Sequence, residues 1–175
     1  MTQAVSSKSR EHALPERPPE RVRLARLILR SRRITLARLH PSRVPDNATA
    51  YKNIVQTARG ERAKRSSYGG APGGAVYLDT RILRALAMLR HTFTFKVSEI
   101  AGGEHSPNSR HYKGLAFDIE AINGVSVSAA NRHVAAFKQR CRGLGAVFVL
   151  GPGDDPDHAT HVHAQWNPRA SSSSD

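Results

Sequence analysis

The sequence predicts an α+β domain: a small, largely antiparallel sheet with flanking helices. Three observations carry that expectation. Helix-period apolar stripes come first, alternating strand-like segments follow on either side of one more helix, and no internal repeat is visible. Residues 21–39 read as an amphipathic helix, with Leu24, Leu27 and Ile28 on one side, arginines on the other and Pro41 ending it. Asp46 is placed to cap a second helix through NATAYKNIVQTARG, closed by Gly60. RAKRSSYGGAPGG then reads as a Gly-rich loop, without the G-K-[ST] or the preceding strand of a phosphate-binding loop.

Asp79 caps a third helix, TRILRALAMLRH, whose Ile82, Leu83, Leu86 and Leu89 form one stripe. Phe93, Phe95 and Val97 alternate with Thr94, Lys96 and Ser98, the pattern of a half-buried strand. The loop IAGGEHSPNSRHYKG leads into a second strand, LAFDIEAI, ended by the turn dipeptide Asn123-Gly124. Ser128 is placed to cap AANRHVAAFKQRCRG, which Gly143 and Gly145 stop. AVFVL is a short buried strand, GPGDDPDHAT a loop and HVHAQW the last strand. The length of 175 residues suits one domain. Residues 1–20 read as a disordered basic tail, 21–45 as a basic helical segment, 46–167 as the domain with its core at 76–166, and 168–175 as a Ser-rich tail.

The net charge of +13 is unevenly spread. Residues 1–67 hold 16 Lys/Arg against 5 Asp/Glu, whereas residues 68–175 hold 11 against 9. The basic third could meet nucleic acid, an anionic wall polymer or an acidic membrane surface, or be a solvated helix face. Nucleic acid is the weakest of these, because no helix-turn-helix, RNA-binding or zinc-finger pattern is present and the basic run lacks interleaved aromatics. The single cysteine, Cys141, excludes an internal disulfide framework and reads as a packing residue. The first residues lack the apolar region of a secretory signal, and LARLIL is too short and too charged to span a membrane. Synthesis in the cytoplasm is therefore expected, with delivery to any outside target by another route.

The chemistry concentrates in SPNSRHYKGLAFDIEAING. In a strand, Leu115, Phe117 and Ile119 face one side and Ala116, Asp118 and Glu120 the other, which turns Asp118 toward a cleft. Gly114 permits a tight bend that brings His111 back over the same face. His161 and His163, two apart, project together from the last strand. Two histidines and a carboxylate, with a water completing the shell, form a known type of catalytic zinc site. Zinc is favoured over redox metals for so compact a site. The plainer alternative is chance proximity among nine histidines, of which His40, His91 and His133 are expected to have no role.

The segment resembles the LAS-type zinc metallopeptidases, the group uniting lysostaphin-type enzymes, D-alanyl-D-alanine peptidases and the Hedgehog signalling domain. Its hallmark, Ser-x-His-x2-Gly-x-Ala-x-Asp, is matched by Ser109, His111, Gly114, Ala116 and Asp118. The string from His105 through Tyr112 is similar to the Hedgehog version, and the closing His-x-His is matched by His161 and His163. The resemblance covers residues 76–166. It implies a Hedgehog-like or D-Ala-D-Ala-peptidase-like fold, Zn²⁺ held by His111, Asp118 and His163, and an unligated His161 that stabilises an oxyanion or positions water. It also implies a general base shortly before the last ligand. Asp157, six residues before His163, is the choice, with Asp154 and Asp155 as fallbacks and a simple loop acid as the alternative.

The implied activity is hydrolysis of stem or cross-link peptides in bacterial peptidoglycan, by a phage endolysin or an effector loaded into an injection machine. The family's exopeptidases carry an Arg before the motif, but residues 98–103 here contain none, so an endopeptidase is expected ahead of a D,D-carboxypeptidase. Arg110, Ser109 and His105 are the candidate substrate contacts. A non-catalytic, Hedgehog-like zinc module is the second reading. Only Glu99 and Glu104 lie near the loop where Hedgehog domains bind calcium, too few to assign that ion.

Overall fold

The computed structural model describes residues 17–169. Those residues form four α-helices and a six-stranded, mostly antiparallel sheet. In chain order the helices are α1 (Glu20–Arg30), α2 (Ala50–Ala58), α3 (Thr80–Leu89) and α4 (Val134–Gly143). The sheet strands are β1 (Ile34–Leu36), β4 (Phe95–Glu99), β5 (Ala116–Ile122), β6 (Val125–Ser126), β7 (Phe148–Leu150) and β8 (Val162–Gln165). They are ordered β1-β4-β5-β8-β7, with β6 hairpinned onto β5 and only the β1/β4 pair parallel. A separate ribbon, β2 (Ala63–Lys64) with β3 (Ala75–Val76), lies where the sequence led us to expect only a glycine-rich loop. The mixed α and β architecture accords with the α+β expectation.

One face of the sheet is covered. Phe95 and Val97 of β4, Phe117 and Ile119 of β5, and Val162 and Ala164 of β8 join one core with Ile28, Ile54, Leu83, Leu86 and Phe137 from the four helices. Each strand therefore places its alternate residues on the opposite, open face, among them Lys96 and Ser98, Asp118 and Glu120, and His163. Asn123 and Gly124, both with positive φ (52° and 78°), make the tight turn that folds β6 back on β5. Cys141 is fully buried, and burial pushes its thiol up to about 12, so it packs rather than reacts.

The strand expected to be buried in AVFVL has Val147 and Phe148 exposed at the sheet edge, with Val149 alone of the β7 residues in the core. Besides this strand and the β2/β3 ribbon, three further elements differ from the sequence expectation. The first helix ends at Ser31, and Ile34–Leu36 pair in parallel with Phe95–Val97. The spacing of Leu36 and Leu39 continues the helical pattern, but β4 needs a neighbour on its outer side and Ile34 packs into the core as a strand residue. Residues 21–45 thus contribute a helix and a sheet strand to the same body as the rest. The second helix is capped by Thr49, whose Oγ1 accepts from Lys52 N, because the Asp46 carboxylate is engaged by Ala48 N, His40 and Ser66. The last helix starts at Val134 rather than after Ser128, whose backbone O instead accepts from Asn131 N in a turn. Asp79 caps α3 as expected, through Arg81 N at 2.8 Å. The tails expected at residues 1–20 and 168–175 fall largely outside the described residues.

Gly114 closes the short helical turn His111–Lys113 with φ 67°, and its missing side chain makes room for Tyr77 O, 2.5 Å from where a Cβ would sit. Both constraints act against any other residue. Gly114→Ala is expected to destabilise the fold by about 1–3 kcal/mol, read as a lower urea midpoint at unchanged slope.

Candidate metal centre

The antiparallel register of β5 and β8 sets Asp118 directly opposite His163 on the open face. His163 Nδ1 lies 2.9 Å from Asp118 Oδ1. The helical turn ahead of Gly114 brings His111 over the pair, with Nε2 3.1 Å from His163 Nδ1 and 3.3 Å from Asp118 Oδ1. Three donor atoms so form a triangle with sides of 2.9, 3.1 and 3.3 Å. Ligands about 2.0–2.1 Å from a tetrahedral ion stand about 3.3–3.4 Å apart, so a small inward-facing cation fits with slight spreading.

A neighbouring group also qualifies. His105, His111 and Asp118 each offer a donor atom within 4.8 Å of the others and form a candidate metal-binding triad. Yet the His105 ring lies flat on that of His111, 3.9 Å between centroids and 3° between planes, while its Nε2 already faces Glu99 Oε2 at 3.0 Å and Gly102 O at 3.1 Å. The set with His163 is tighter, and its donors point at one another rather than elsewhere.

Each donor is held from behind. His111 Nδ1 donates to Ile100 O at 2.7 Å, which fixes the tautomer that leaves Nε2 free to bind. Ser109 Oγ accepts from His111 N at 3.3 Å and steadies the turn. His163 Nε2 reaches Gln165 Oε1 at 3.1 Å. Behind His105 runs a buried chain in which Glu99 bridges His105 and His40, and His40 Nε2 pairs with Asp46 Oδ1 at 2.7 Å. His40, expected to be idle, is thus a 2% exposed support of the site. Glu99 is committed to these two imidazoles. Glu104 is exposed on the cleft rim.

Electrostatics follow the packing. Burial pushes the His111 imidazole below its usual value, against the opposing pull of the Asp118 charge. Burial alone would raise Asp118, but the charges and hydrogen bonds of His111 and His163 hold it well below the usual carboxylate range. Burial likewise opposes protonation of His163, yet its hydrogen bond to Asp118 wins and lifts it. A bound cation would take the place of that proton.

The donors floor a cleft of two cavities, about 700 and 560 Å³, which share Glu104, His105, Asp118 and His161. The cleft therefore runs past the centre on both sides. Of the other candidate residues, Arg110 is half-buried and lines the larger cavity, as does exposed Asp157 on the short helical turn Pro156–His158. The fallback acids are occupied: Asp154 pairs with Lys138 and Gly151 N, and Asp155 accepts from both His158 N and His158 Nδ1. His161 is half-buried, and burial lowers it toward the neutral form. His158, not singled out in the sequence, also lines the larger cavity, its ring 4.8 Å from that of His161. Its only sequence signal was closeness to the HVH strand.

Comparison of the chain with protein-family models, curated proteins and solved structures gave no match in any of the three. No helix among the described residues is long and apolar enough to cross a membrane.

Two outcomes follow from this geometry. Titration of metal-free protein is expected to load one Zn²⁺ per chain and raise its melting temperature, with His111→Ala or Asp118→Ala abolishing the rise. His40 is desolvated, but its hydrogen bonds to Glu99 and Asp46 overcome this and raise its pKa above 6.5. Its pairing therefore stabilises fully below pH 6.5 and fades as pH climbs through the raised value. The Asp46 carboxylate, lowered against its own desolvation by Ser66 and His40, contributes above about pH 4 and is lost on acidification. In chelator, the gap in melting temperature between wild type and His40→Gln should peak between these limits and narrow toward pH 8.5.

Proposed function

We propose that the protein is a zinc-dependent peptidase acting on internal peptide bonds of bacterial peptidoglycan, with His111, Asp118 and His163 as metal ligands. The observation that supports it most is the convergence of His111 Nε2, Asp118 Oδ1 and His163 Nδ1 at the floor of a cleft open on both sides. Two imidazoles and one carboxylate leave a position open, which distinguishes a catalytic from a closed structural zinc shell. When bound there, zinc polarises a carbonyl and lowers the pKa of a water toward about 7.

The chain's own groups do the rest. Asp157 is the acid of the GDDPD loop left unengaged, and it takes the proton of the attacking water and passes it to the leaving amine. His161, kept neutral by burial, donates a hydrogen bond to the oxygen that gains charge as the carbonyl is attacked. Arg110, on the wall of the larger cavity, pairs with a carboxylate of the substrate. His105 and Ser109 keep His111 in place, His105 by stacking on its ring and Ser109 through its Oγ, which accepts from His111 N. A cleft continuing beyond the centre in both directions suits a bond within a chain better than a terminal one. Such a substrate is met outside the cytoplasm, after lysis or after export by a phage or injection machine.

The test is a digest of purified peptidoglycan with and without a chelator, with released fragments read by mass spectrometry. New amine termini that vanish with chelator and return with zinc are expected, and the fragment masses name the bond. Asp157→Asn should lower turnover about 10²–10⁴-fold while zinc binding stays intact. Zinc bound in full with no release from several wall chemotypes would instead make the protein a non-catalytic binding module, and release of single terminal D-alanine would make it a carboxypeptidase.

A further inference from the structure

We propose that the outer face of α1 is a binding groove for a linear phosphodiester polymer of the bacterial wall. It lies on the side of the sheet away from the metal cleft, since α1 covers the core face and Asp118 points from the other. The sequence of α1, ERVRLARLILR, turns Val22, Ala25 and Ile28 inward and leaves Arg23, Arg26 and Arg30 outward. Arg23 to Arg30 covers about 10 Å of helix.

With Leu27, Ser31 and Arg90 these arginines line a cavity of about 440 Å³ that contains four guanidinium groups and no carboxylate. None of the four makes an ion pair among the described residues. A few cations elsewhere do find partners: Arg81 with Asp79, Arg84 with Glu20, Lys96 with Glu120 and Lys138 with Asp154. Cations without an ion pair occur elsewhere on the described surface too, exposed Arg132 and Arg140 among them; what marks this groove is that four guanidinium groups converge on one cavity. Two of its members are fixed or incomplete: Arg26 Nε donates to Ala58 O at 3.1 Å, and Arg90 Nε is buried without a hydrogen-bond partner. Four like charges held together repel one another, and an anion spanning them removes that repulsion.

The ligand class follows from shape and chemistry. Guanidinium forks match phosphate oxygens in pairs, and a row of them matches phosphates repeated along a chain. No aromatic side chain lines the groove, so bases have nothing to stack on. The buried stripe of α1, Val22, Ala25 and Ile28, is spent inside the core. Outward only half-buried Leu27 and partly exposed Leu29 remain among the arginines, a small apolar area with which to enter a lipid surface. The groove stands independently of the cleft, but assigning its polymer to the wall rests on the peptidase reading above.

The experiment is calorimetric titration of the full chain with deacylated poly(glycerol phosphate) over a range of salt. The double variant Arg23→Gln/Arg30→Gln is expected to bind at least tenfold more weakly at low salt, with a salt slope shallower by about 1.4. Arg132→Gln/Arg140→Gln removes the same charge from exposed positions elsewhere and should bind as wild type. Equal loss in both pairs, at unchanged melting temperatures, would mean that net charge and not the groove binds, and would overturn the proposal. Tighter binding to duplex DNA or to phosphatidylglycerol vesicles than to the polymer would overturn the ligand class. Because the readout is binding alone, an inactive cleft leaves this result interpretable, and Asp157→Asn should titrate like wild type.

Discussion

The register between β5 and β8 is the constraint on which the site depends. Because side chains alternate along a strand, the pairing of Asp118 with His163 fixes two decisions together: Phe117 and Val162 go to the core, and the two ligand candidates go to the open face. A slip of one residue in either strand would bury a carboxylate or an imidazole among apolar side chains and expose core residues to water. Core packing and donor geometry therefore enforce each other. The helical turn at His111 adds the third donor only because Gly114 lets the backbone pass within reach of Tyr77 O.

Behind the donors the polar groups are largely buried and partnered, while those that line the cleft are half-buried or exposed. The chain Asp46–His40–Glu99–His105 draws on the linker between β1 and α2, on β4 and on the loop after it. It ties the segments that flank the cleft to each other. It also stacks an imidazole flat on His111, restricting that ring over one face while the backbone carbonyl of Ile100 holds its edge. Isolated buried charges are costly, and here each carboxylate has imidazole partners that share the cost. The acids of the 154–157 loop divide differently. Two hold the loop in shape and the third faces the cleft, which is why a structural role and a chemical one coexist in GDDPD.

Much of this was legible in the sequence because it is local. The alternation in LAFDIEAI, the Asn123-Gly124 turn, the Asp79 cap and the two-residue spacing of His161 and His163 are each readable within ten residues. What was misread depends on distant partners. Ile34–Leu36 becomes a strand only because β4, about sixty residues on, offers an edge. Asp46 does not cap because His40 and Ser66 claim its oxygens. His40 looked unremarkable since its second partner, Glu99, is 59 residues away. His158 likewise gains its place from the fold of a loop with no period to read.

The strand order carries one more consequence. β8 lies between β5 and β7, although it is the last strand of the described chain. During synthesis, residues 116–119 of β5 lack their partner on this edge until β8 has emerged and inserted, and only then can the donors of residues 111, 118 and 163 meet. The cluster cannot be assembled piecemeal: until β8 is made, two of its three donors are present with nothing to converge on.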